Sequence, residues 1–124
     1  MGKAANSSIS LKQIHVTDNF WNKYVHLVKD VIIPYQWDIL NDKLEDVETS
    51  HCIENFKIAA GEKEGEFQGA VFQDTDVAKW LEAVGFVLNY ERDEKLEELA
   101  DETIELIGLS LIHISEPTRR SYIS

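Results

Sequence analysis

Apolar positions recur along this chain at different spacings, and each spacing predicts a different element. From Ile9 to Val16 the residues Ile9, Leu11, Ile14 and Val16 alternate imperfectly with polar ones, the pattern of a short strand or an extended lead-in. Phe20, Tyr24, Leu27, Val28 and Val31 then fall three and four apart, which predicts an amphipathic helix, and Thr17 and Asp18 before it carry side-chain oxygens able to cap its start. Pro34 has no backbone N–H and restricts Ile33, so this helix should end or kink there and a second short one should carry Trp37 and Leu40.

Further on, Asp42 to Ser50 is acidic and weakly patterned, as in a solvated loop, and His51 to Ala60 predicts a brief helix closed by Gly61. Gly61 to Gly69 is rich in glycine and charge, and Ala70-Val71-Phe72 runs into Gln73-Asp74-Thr75-Asp76, a loop rising into a helix cap formed by Asp74 or Thr75. The clearest helical periodicity follows: Val77, Trp80, Leu81, Val84 and Leu88 lie on one side, with Lys79, Glu82 and Asn89 placed to face water. After the short link Tyr90-Glu91-Arg92-Asp93, the residues Leu96, Leu99, Ala100, Thr103, Ile104 and Ile107 repeat the pattern. Two amphipathic helices so closely joined predict an antiparallel hairpin. Each has an apolar face too wide for one partner, so further helices should cover them.

Beyond Gly108 the periodicity breaks, and Pro117 would stop a helix in any case. The string Leu109 to Arg119 resembles a translated sequencing adapter, so residues 109–124 are expected to be a non-native tail; a natural strand from Leu109 to Ile114 is the other reading. The expected organisation is a lead-in over residues 1–16, part of a helical catalytic domain over 17–108, and that tail.

Charge narrows the function classes. The 124 residues carry a formal −11, with acidic residues scattered among apolar ones, which argues against nucleic acid or an anionic membrane surface as partner. No apolar run approaches the roughly 20 residues of a membrane span, and the opening residues lack the apolar stretch of a secretory signal, so a cytoplasmic protein is expected. Cys52 is the single cysteine, which excludes an internal disulfide and a multi-cysteine metal site within this stretch. It is expected to be a small buried apolar residue.

Asp74-Thr75-Asp76 begins like a calcium loop, but the sixth position is Lys79 where glycine is required and the twelfth is Gly85 where glutamate is required. Its carboxylates instead suit the positive end of a helix. Gln73, Asp74 and Asp76 are nevertheless the candidate substrate-binding residues, able to reach a sugar hydroxyl from the mouth of a barrel. Neighbouring His51 and Cys52 point apart on a helix and make no dyad, whereas His51 and Asn55 share a face. The pairs Glu64 with Glu66 and Glu97 with Glu98 read as solubilising surface charge. Trp21, Trp37 and Trp80 could stack on sugars, but at helical spacing they read first as core. No phosphate loop or serine-nucleophile motif is present.

Several blocks in order carry a family resemblance. Phe20-Trp21, Ile33-Pro34-Tyr35-Gln36-Trp37, Asn55-Phe56-Lys57-Ile58-Ala59-Ala60-Gly61, Phe67-Gln68-Gly69 and the run from Val71 to Glu82 resemble the N-terminal region of glycoside hydrolase family 127, typified by β-L-arabinofuranosidases, over about residues 14–108. The resemblance implies an all-α fold, an incomplete (α/α)6 barrel comprising its first helices and one antiparallel helical hairpin behind a short extended lead-in. It also implies that this chain is the N-terminal fragment of a retaining hydrolase acting on terminal L-arabinofuranose in an arabinose-containing oligosaccharide or glycoconjugate. In that family a cysteine thiolate held at zinc is the nucleophile, so zinc is implied for the parent and no cofactor for this stretch. Cys52 matches none of the family's cysteines, and no catalytic residue carries over; Ala78 stands where the family commonly has tyrosine. The competing expectation is a small helical module that binds carbohydrate or protein without catalysis.

Overall fold

The computed structural model describes the backbone of residues 7–123 and the side chains of residues 7–113, and among the described residues the secondary structure is helical throughout. The lead-in does not pair as a strand: a 3₁₀ turn spans Leu11–Gln13, with Ser10 accepting from the Lys12 N–H at its start. An isolated alternating segment with no partner strand has no ladder to join, so its backbone is satisfied locally. Its far end is tied down, because the Val16 N–H donates to the Tyr90 hydroxyl at 3.0 Å.

Helix α1, Asn19–Leu27, starts where expected, with the Asp18 carboxylate accepting from the Trp21 N–H at 3.0 Å. It does not stop at Pro34. A π-helical turn over Val28–Ile32 joins it to α2, Ile33–Leu40, and the Ile33 N–H bonds the Val28 carbonyl five residues back. In a regular ladder the pyrrolidine ring of Pro34 would meet the Asp30 carbonyl and its own N–H would be missing. The widened turn absorbs both defects, so the chain changes phase without leaving the helix.

Helix α3, Cys52–Ala59, is closed by Gly61 at φ +78, a conformation favoured by a residue without Cβ. Helix α4 spans Asp74–Tyr90 and helix α5 spans Glu94–Ile123. The link between them is capped by Asp93, whose carboxylate accepts from the Leu96 N–H at 3.1 Å. The core brings together Ile33 and Leu40 of α2, Cys52 and Ile53 of α3, Val77, Trp80 and Val84 of α4, and Ala100, Thr103 and Leu106 of α5. Trp37 packs on Trp80 with ring centroids 4.5 Å apart.

Three expectations change. In α5, Ile104 is exposed and Leu106 is buried in its place, because the helix packs chiefly on α3 rather than on its hairpin partner α4. The helix also runs on past Gly108: Ser110 is buried on the face it shares with Thr103 and Leu106 and donates its hydroxyl to the Ile107 carbonyl at 2.7 Å. A Cβ on Gly61 would stand 3.2 Å from the ring of His113, one turn further along. Residues 114–124 of the expected tail have no described side chains. Third, the tryptophans divide: Trp80 is core, Trp37 is half-buried, and Trp21 is 62% exposed.

Helix α1 buries no residue fully, and its Phe20, Trp21 and Tyr24 form an exposed aromatic cluster with centroid separations of 5.1 to 6.0 Å. Between the lead-in, α1 and α4 lies an open apolar groove of about 540 Å³, lined among others by Leu11, Ile14, Tyr24, Val28 and Phe86. The Lys29 ammonium closes on the Glu91 carboxylate at 2.9 Å beside it and is held more firmly protonated by that hydrogen bond. No helix among the described residues is long and apolar enough to cross a membrane.

Candidate functional site

Three segments converge at the start of α4. The first is Asp42, just after α2, held in the left-handed region at φ 57. Its carboxylate accepts from the Ser50 N–H at 2.6 Å and from the His51 N–H at 3.0 and 3.1 Å. The segment expected to be a solvated loop is therefore pinned at both ends by one side chain. That side chain also fixes His51, itself left-handed at φ 59, as the residue that launches α3.

Asn55 is the second anchor. Its amide NH₂ donates to the Gln68 carbonyl at 2.8 Å while its amide oxygen accepts from the Gln68 N–H at 3.1 Å, which clamps the glycine-rich loop by its backbone in both directions. The side chains of Asn55 and His51, expected to share a face, do not bond each other; the imidazole faces Asp42, Nδ1 to Oδ2 4.0 Å. The long-range partner Gln68 outcompetes the same-face neighbour because it satisfies a loop backbone that has no ladder of its own.

The third segment runs from Gly69 to Asp76. Neither Asp74 nor Thr75 caps α4. Gln73 occupies the cap position, and the turn before the helix is closed by backbone bonds from Thr75 to Phe72 and from Asp76 to Gln73, so no side-chain cap is required. The Thr75 hydroxyl donates backwards to the Phe72 carbonyl at 2.8 Å. Gln73 uses its side-chain oxygen to accept from the Ala70 N–H at 2.9 Å, and its carbonyl accepts from the Cys52 thiol at 2.9 Å. Gly69 makes this possible: it sits at φ +93, and a Cβ there would stand 2.1 Å from the Gln73 oxygen.

Of the three candidate sugar-binding residues, Gln73 thus has its side-chain oxygen engaged within the loop. Asp74 and Asp76 lie in the first turn of α4, where their charge opposes the helix dipole, and both are exposed. The Asp76 carboxylate lies 3.7 Å from the Lys79 ammonium, and the two stand at the rim of an open groove of about 380 Å³ lined by Ile33, Gln36, Leu40 and Trp80. A carboxylate and an amine at the rim of a groove can accept from and donate to hydroxyls.

Cys52 is buried, as expected. Burial pushes its thiol up to about 11, opposed by the Val77 backbone and reinforced by the charges of Asp76, Asp74 and Asp42. A zinc-held thiolate needs an ionised sulfur with further soft ligands beside it. A protonated thiol donating to a carbonyl, as the single cysteine of the chain, does not fit that group. Sequence reasoning missed Asp42, because its role depends on a partner eight and nine residues on through a backbone conformation that no periodicity reveals.

Residues 13–109 match the family model of the β-L-arabinofuranosidase catalytic domain of glycoside hydrolase family 127. A non-reducing end β-L-arabinofuranosidase of Bifidobacterium longum subsp. longum is 38% identical over 107 residues, which is 77% of this chain and 16% of that protein. A solved family 127 β-L-arabinofuranosidase from Geobacillus stearothermophilus superposes with a TM-score of 0.76 at 56% identity, over 79% of this chain and 15% of that one. The chain thus spans about a sixth of the relatives it matches.

Proposed function

Because the chain belongs to the catalytic-domain family of glycoside hydrolase family 127 β-L-arabinofuranosidases, we propose that it forms the opening helices of an (α/α)6 barrel whose whole removes terminal non-reducing L-arabinofuranose from glycans. Its own contribution is structural and substrate-facing, and the bond-breaking chemistry lies in the remainder of the parent. The observation that carries this reading is the 56% identity to a solved family member over 79% of the chain, alongside a single cysteine that is buried and protonated. A thiol of that kind is a poor nucleophile at neutral pH, since the thiolate is the reactive form. Zinc in the parent would be held by residues outside this stretch, and a cytoplasmic compartment goes with the same reading.

Within this proposal Asp74 and Asp76 face substrate, with Asp76 accepting from a sugar hydroxyl at the rim of the Trp80 groove, and Gln73 holds the loop behind them. The family match ends at Leu109, and a foreign origin for residues 109–124 remains part of this proposal. The test compares the 124-residue chain with the full-length parent on a chromogenic β-L-arabinofuranoside. Release by the parent and none by the chain is the expected result. Arabinose release by the chain alone would overturn the division of labour, and an inactive parent would overturn the substrate class.

A further inference from the structure

Asp42, His51 and Glu54 come together on one side of the α3 start: one oxygen of each carboxylate and one nitrogen of the imidazole all lie within 4.8 Å of one another. Two of the three groups are held in place. Asp42 is fixed by its bonds to Ser50 and His51, and the His51 backbone by its own N–H bond to the same carboxylate. Each side chain is partly exposed, so an ion can enter and keep water in its open positions. A positive charge already stands there: the Lys63 ammonium lies 2.7 Å from Glu54 Oε1.

We propose that Asp42, His51 and Glu54 bind a divalent cation of the zinc type, in competition with the Lys63 ammonium, and that the ion clips the loop after α2 to the start of α3. Two carboxylate oxygens and an imidazole nitrogen suit zinc, cobalt or nickel better than calcium, which takes oxygens alone. Ligands of one tetrahedral zinc stand about 3.4 Å apart for bonds of about 2.1 Å. The present spacing, within 4.8 Å, is wider than that, so binding draws the Glu54 and His51 side chains towards Asp42. The donors are one oxygen before the loop, one nitrogen at its end and one oxygen a turn into α3, so a bound ion closes a ring that the two backbone bonds to Asp42 already outline.

The inference is independent of the enzymatic reading and is tested on the 124-residue chain, stripped with chelator and titrated calorimetrically with zinc, with cobalt as a second probe followed by NMR. One zinc per chain is expected, with cobalt broadening the His51 ring signals. Replacing His51→Asn keeps a residue that tolerates the left-handed backbone and removes the imidazole; affinity should fall by about tenfold or more. Replacing Lys63→Met removes the competing ammonium from an exposed position, and binding should tighten, an effect that a purely structural role for the cluster does not give. Circular dichroism confirms that each variant is folded. If zinc does not bind, if His51→Asn leaves the stoichiometry and affinity unchanged because other histidines hold the metal, or if Lys63→Met fails to tighten binding, the proposal is overturned.

Discussion

The indole N–H of Trp80 donates to the backbone carbonyl of Ile33 at 3.0 Å, across 47 residues of sequence and within the buried core. This bond joins α4 to the point where the π turn hands over to α2. Replacing Trp80→Phe keeps an aromatic ring against Trp37 but leaves no donor for that carbonyl, and the loss of a buried partner is expected to cost about 1–3 kcal/mol. The change in urea midpoint measures it, and a loss of the Trp37 fluorescence environment should accompany it. A midpoint unchanged from the parent would show that the bond contributes nothing.

Gly69 and Gln73 are coupled through one oxygen. A methyl at position 69 would collide with the side-chain oxygen that accepts from Ala70, on a backbone at φ +93 that resists side chains in any case. Gly69→Ala is expected to destabilise by about 1–3 kcal/mol. In a Gln73→Ala background the same change should cost less, because the collision partner is gone while the backbone strain remains. A double-mutant cycle reads this as a coupling, and strict additivity would refute it.

Asp42 replaced by alanine deprives two N–H groups of their acceptor at the entrance to α3. Destabilisation of about 1–3 kcal/mol is expected, with faster amide exchange at Ser50 and His51 before any other site. Exchange that rises uniformly along the chain would argue against a local role.

Cys52 gives a pH dependence with a definite sign. Its folded-state thiol is raised from an ordinary value of 9.0 to about 11, so as pH climbs the unfolded chain loses the proton first. The contribution to stability is fully present below pH 9 and is lost as pH rises through about 11. Thermal melting at pH 8 and at pH 10.5 should differ more for the native chain than for Cys52→Ala. A thiol reagent at pH 8 should react with the folded chain far more slowly than with the urea-unfolded one.

Much of the fold was legible because it rests on local chemistry. The Asp18 cap, the Val77, Trp80, Val84 stripe and the Gly61 stop all follow from residues within a turn or two of each other. What escaped depends on partners distant in sequence. Asn55 and His51 occupy adjacent turns of one face, yet the amide turns to Gln68 and the imidazole to Asp42. Ile104 and Leu106 exchanged places because periodicity fixes that a face exists and leaves open which neighbour it meets. At the candidate site, the sequence proposes the segment from Gln73 to Asp76 as one unit, whereas the structure divides it: one side chain builds the loop and the carboxylates remain exposed. Pro34 predicts an end or a kink because a proline removes a bond from the ordinary ladder, and the structure takes the second course, with α2 carrying Trp37 and Leu40. The remedy, a ladder with a longer step, leaves no mark in hydrophobic spacing.

That longer step acts as a phase shifter. One extra residue in a turn rotates everything after it by about 100° relative to an uninterrupted helix. The rod from Asn19 to Leu40 therefore has two apolar edges pointing in different directions. Ile33 and Leu40 on the second edge close the interior, while Phe20, Trp21 and Tyr24 on the first turn outward. Removing a single residue from Val28–Ile32 would rotate one edge onto the line of the other, so the chain could no longer keep Ile33 and Leu40 inward while Phe20, Trp21 and Tyr24 face outward.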